Sequence, residues 1–195
     1  MGDFKMGNNT VLTQSGTAKP AFGSGAPTGA IVNVLSTTID TGLDLGSIST
    51  GAEVQITGLT VAITPKSTSS KMLLMYNACG SMGTLGAVLN LRLKRDSTSI
   101  NIHNTSTSRT EVTNAMDGYT NTSGEAEQNL AVVAGTFLDT PTIPSTPVEI
   151  TYKIFAVNSS GITRNLYINR STNDGVNGVS LIRATSTLTV MEVAG

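Results

Sequence analysis

Residues 54–65 read VQITGLTVAITP, and their apolar side chains fall on every second position in two phases. Val54 and Ile56 alternate first; Gly58 then resets the count, so that Leu59, Val61 and Ile63 carry the alternation to Pro65. Successive side chains of a strand point to opposite faces, so period two marks a half-buried strand and a slip in phase marks a β-bulge. The stretch predicts one bent strand, bulged at Thr57 to Gly58. Pro65 stops it, because proline has no N–H to give to a ladder.

The same grammar extends in both directions. Ile31 to Leu35 is a first apolar run, and Met72 to Tyr76 (MLLMY) is continuously apolar, which predicts a central strand covered on both faces. Ala87, Leu89, Leu91 and Leu93 alternate with Asn90, Arg92 and Lys94, and a hairpin using Gly80, Gly83 and Gly86 is expected before them. Asn129 to Leu138 and Val148 to Val157 are two more strands. In the second, Val148, Ile150, Tyr152, Ile154 and Ala156 share a face, and Pro141, Pro144 and Pro147 keep the preceding link extended. Asn165 to Asn169 and a last run from about Leu181 to Val193 complete the set. Short strands with turn signals between them predict an all-β fold, an antiparallel, jelly-roll-like β-sandwich spanning 30–195.

Composition agrees with this reading. Thr (30), Ser (20), Asn (15) and Gly (20) supply the polar half, while only 13% of the 195 residues are charged. Thr suits a pleated surface, Ser, Asn and Gly suit turns, and no Ala/Glu/Lys/Leu-rich segment offers a helix. The apolar stripes are narrow, with Thr, Ala or Ser at several inward positions, which predicts a thin core completed by partner subunits.

Residues 1–29 hold Gly, Pro, Ser and Asn throughout, with Val11, Leu12 and Phe22 as isolated apolar points. Ordering such a segment alone costs roughly 1–2 kcal/mol per residue in backbone entropy, so it is expected to be an extended N-terminal arm that orders on a partner.

Several chemistries lack their residues. A net charge of −1, with Arg92, Lys94 and Arg95 as the densest basic group, offers no footprint for nucleic acid. One histidine, His103, and one cysteine, Cys79, leave no His or Cys pair for a zinc site, and no G-x-S-x-G elbow anchors a triad, so no metal, cofactor or enzymatic activity is expected. Cys79 reads as a buried, inert thiol and residues 173–178 as a plain turn. No apolar run approaches the roughly 18 residues of a membrane span, so no membrane insertion is expected.

Two segments carry a resemblance. Ile63, Thr64, Pro65, Ser67, Ser69, Ser70 and Lys71 spell ITP followed by S-x-S-S-K, and Ser186 to Val193 spells STLTVMEV at the C-terminus. In this order they resemble a domain recurrent in phage structural and tail-fibre-like proteins, especially from marine phages. The resemblance covers the chain from Gly29 on. It implies a β-sandwich knob that assembles on a virion, as a homotrimer, with residues 1–29 holding other virion proteins. Fibre or spike component, capsid decoration protein and host-glycan or receptor-binding module all stay open.

Particular residues follow from these readings. The polar tract Asn104 to Gln128 is expected to be an exposed loop system, with Tyr119 as a stacking platform for a host glycan and Asn121 beside it. Glu192, in an otherwise apolar last strand, needs a partner if buried, and Arg183 is expected to supply a structural ion pair.

Overall fold

The computed structural model describes residues 4–6, 9–13, 21–22, 26–82, 88–103, 109–117, 130–173 and 182–195. Among them every regular element is a strand. Three short ones, β1 (Phe4–Met6), β2 (Asn9–Thr13) and β3 (Ala21–Phe22), form an antiparallel sheet of their own. The chain then joins the main body where Gly29 and Ala30 exchange backbone hydrogen bonds with Ala194 (2.7 and 2.8 Å).

Two antiparallel sheets make that body. The first is ordered β10 (Asn114–Asp117), β8 (Val88–Arg95), β12 (Ile150–Val157), β6 (Glu53–Ile63), with β9 (Thr98–Ile100) also on β8. The second is built on β7 (Lys71–Met82), which is long enough to serve three neighbours. β11 (Ala131–Asp139) lies along one edge of it, and β14 (Ser186–Val193) and then β13 (Arg164–Ile168) lie end to end along the other. β4 (Ile31–Ile39) pairs with β14, and β5 (Leu43–Ile48) with β13. From β6 to β7 to β8, and from β10 through β11 and β12 to β13, the chain crosses between sheets, as expected of a jelly-roll-like sandwich.

Between the sheets lies one contiguous core. Ile56, Leu59 and Ile63 of β6, Leu89, Leu91 and Leu93 of β8, and Tyr152 and Ile154 of β12 meet Met72 and Leu74 of β7, Leu166 and Ile168 of β13, and Leu188 and Val190 of β14. Each such side chain contributes about 1.5–3 kcal/mol when fully buried. Of the predicted inward face of β12, Ile150, Tyr152, Ile154 and Ala156 are buried, whereas Val148 lies before the strand and is exposed, and Val157 is buried as well.

The bent strand is real. β6 runs unbroken from Glu53 to Ile63, but its register against β12 shifts between Gln55 and Thr60, and Gly58 sits at φ +93°. Gln55 Nε2 donates to Thr60 Oγ1 (3.0 Å) across the distortion.

Other expectations change. β7 continues to Met82, so Gly80 lies within the strand rather than in a hairpin: a Cβ there would come within 2.7 Å of the Tyr167 carbonyl oxygen. Nor is β7 covered on both faces, since Met72, Leu74 and Tyr76 are buried but Met75 is exposed. The core is not thin, because the inward positions are mostly Leu, Ile, Met and Tyr; the uncovered apolar surface is outside the sandwich. β5 carries no clean period-two signal because Gly46, at φ +74°, interrupts LDLGSI, its N–H donating to Asp44 Oδ1 (2.8 Å). Part of the polar tract is a strand, β10, tied in by Thr113, which accepts from Leu93 N–H and donates to the Ile100 carbonyl.

Candidate functional site

Four places gather polar or uncovered side chains. The first joins the two segments of the resemblance. β6 ends at Ile63, Pro65 turns the chain, and Ser67 to Ser70 lead into β7. Glu192 of β14, fully buried, turns its Oε1 to this turn and accepts from Lys66 N–H and from Ser70 Oγ (2.6 Å). Its Oε2 is buried with no hydrogen-bond partner among the described residues. Arg183 lies before the opposite end of β14, bridged to Arg170 and packed at Gly42. The structure therefore does not bring Glu192 and Arg183 together: an extended strand separates them, and a backbone amide and a hydroxyl do what the guanidinium was expected to do.

The second is a buried charge cluster. Asp139, at the end of β11, accepts two bonds from Arg95 Nη1 (2.8 and 2.9 Å) and one from Tyr152 Oη (2.7 Å). Burial first, then the bond and charge of Asp139, raise the Tyr152 phenol far above its ordinary range. A small groove of about 180 Å³ adjoins Arg95, lined also by Asp96, Glu149, Pro141 and Pro144. Two carboxylates beside the single guanidinium disfavour an anionic ligand.

The third is the outer face of the β6, β8, β12 sheet. Glu53 binds Arg92 (2.7 Å) and Lys94, Lys94 lies 4.5 Å above the Phe155 ring, and Lys153 stands opposite Lys94 in register. Partial burial pushes the Glu53 carboxyl up, but the bonds and charges of Lys94 and Arg92 outweigh it and leave its pKa below the ordinary value.

The fourth is the outer face of the other sheet, where Met75, Thr136, Thr187 and Thr189 line an open groove of about 590 Å³. Nothing in the sequence marked this surface except Leu73 and Met75, whose places in an apolar run suggested burial.

The remaining predicted residues divide. Tyr119 and Asn121 lie outside the described residues. His103 is exposed just beyond β9. Cys79 is a buried thiol that donates to the Thr185 carbonyl (3.4 Å), and burial raises its pKa. Among the described residues no group of three or more His, Cys, Asp or Glu is placed to hold a metal ion.

No family model and no curated protein matches the chain. Two solved structures are distantly similar to it. One is titled the structure of infectious bursal disease virus Gt strain (13% identity, TM-score 0.35, 94% of this chain and 42% of that one). The other is the Gx strain of the same virus (12% identity, TM-score 0.32, 93% and 41%). The chain thus spans about two fifths of the length of each. A likeness this distant carries over no role.

Proposed function

We propose that the chain is a non-catalytic structural subunit of a virus particle, a surface fibre- or spike-type component that works as an oligomer, a trimer by the resemblance, and is attached through residues 1–29. One observation supports the reading most. The two segments that resemble phage fibre-type domains, 63–71 and 186–193, are far apart in sequence yet bonded to each other through Glu192, Lys66 and Ser70. They form one structural unit, which is how a recurrent domain signature behaves.

Electrostatics point the same way. The densest charged groups are internal ion pairs, Glu53 with Arg92 and Lys94, and Asp139 with Arg95. Glu53 and Asp139 offset two of the three positive charges of Arg92, Lys94 and Arg95 within the fold.

The test is incorporation. Particles produced with the full chain should contain it, by mass spectrometry of the purified virion, and particles produced with residues 1–29 deleted should lack it while the truncated protein still melts cooperatively. Incorporation without the arm contradicts the attachment, and absence of the full chain from particles contradicts the structural role.

A further inference from the structure

We propose that the outer face of the β6, β12, β8 sheet binds an oxyanion, the sulfate or phosphate group of an acidic ligand, through Lys153 with Lys94 beside it. Strand register lays four side chains across this face in one row: Thr60 of β6, Lys153 of β12, Lys94 of β8 and Ser99 of β9. Three strand spacings of about 4.8 Å make the row about 14 Å long.

Like charges directly opposite each other on neighbouring strands are destabilising. Yet two of the few charged residues in this chain, 13% of the total, stand in that relation, which calls for a counter-ion. The two lysines are not equally served. Lys94 donates to Glu53 and lies over the Phe155 ring, 4.5 Å from its centre, so its side chain leans along the face and away from the row. Lys153 is partly buried and has no hydrogen bond or ion pair among the described residues.

The hydroxyls of the row add donors of the right kind. Thr60 Oγ1 accepts from Gln55 Nε2 (3.0 Å), which leaves its own proton to give. Ser99, at the other end, has no side-chain bond among the described residues. An ammonium with three donors and two hydroxyl protons thus share one row that carries no carboxylate, and an oxyanion supplies the acceptors they lack.

Charge sets the size of the ligand. Arg92, Lys94 and Lys153 against Glu53 leave an excess of two positive charges on these four residues. Arg92 contributes charge rather than bonds, because Glu53 and the Glu111 carbonyl take its donors. Beyond the row, toward the start of β12, stand Glu149 and Asp96, whose Oδ1 accepts from Thr151 N–H (2.9 Å). These carboxylates confine the positive region to one anionic group and disfavour a nucleic-acid backbone, whose phosphates repeat.

The test is thermal unfolding of the full chain in sodium sulfate and in sodium phosphate, each against sodium chloride of equal ionic strength. Both anions also stabilise proteins by exclusion from the surface, an effect that wild type and variants share, so the difference between them reads the site. In about 50 mM anion, wild type should gain about 4 °C more than Lys153→Gln. Lys153→Arg, which keeps the charge, should retain most of that gain. Glu53→Gln should gain more than wild type, because Lys94 is then free to join Lys153 on the anion. Whichever anion gives the larger gain names the group, sulfate or phosphate. Equal gains in wild type and Lys153→Gln, or a smaller gain in Glu53→Gln than in wild type, overturn the site.

Discussion

Ser70 Oγ donates a 2.6 Å hydrogen bond to Glu192 Oε1, joining the turn before β7 to the last strand across 122 residues. Lys66 N–H donates to the same oxygen. Glu192→Ala leaves both donors without an acceptor inside the protein, at about 1–3 kcal/mol for each group stranded. Glu192→Gln keeps an acceptor and should lose less than half as much. Urea unfolding of the two variants checks this, and equal losses would mean that Oε1 is not what holds the turn.

Tyr152 predicts an alkaline limit. Its folded pKa lies well above the unfolded value of about 10, so its contribution is complete below pH 10 and falls as pH rises toward the folded value. The fall is about 1.4 kcal/mol per pH unit for one such group. Tyr152→Phe should lose about 1–2 kcal/mol at pH 8 through the missing bond to Asp139, and should show a shallower decline between pH 10 and 11.5. Urea midpoints across that window are the measurement.

Glu53 predicts the opposite sign at acid pH. Its pKa is lowered in the folded state, so its contribution is present above the unfolded value of about 4.3 and is lost as pH falls through the folded one. Glu53→Gln should cost about 1 kcal/mol at pH 7, where Lys94 and Lys153 are left facing each other, and the difference from wild type should shrink by pH 3.

Gly58→Ala should destabilise by about 1–3 kcal/mol, because φ is +93° and the new Cβ would come within 3.0 Å of Ile39 Cγ1. Gly161→Ala, where a Cβ meets nothing within 4 Å, should be nearly neutral. Thermal unfolding of both variants separates backbone strain from the general effect of adding a methyl group.

The alternating residues 54–63 gave both the strand and its irregularity, because period two is a direct consequence of the pleat. MLLMY misled for a physical reason: a continuous apolar run records that both faces avoid water, not that one subunit covers both. Met75 is the residue of that run left exposed within the chain, and Leu73 is only half-buried. Glu192 was legible as a buried carboxylate, but its partner was not, since a backbone N–H brought close by a turn leaves no side-chain signature. Tertiary placement also hid the roles of Gly80 and Asp139, which depend on Tyr167 and on Arg95 and Tyr152 arriving from other strands.

The most direct measurement is the solution mass of the purified full chain by light scattering. The account predicts a stable assembly at three times the 20.1 kDa of one subunit. A well-folded monomer at 20.1 kDa, over the concentration range in which a surface fibre subunit must assemble, would contradict it.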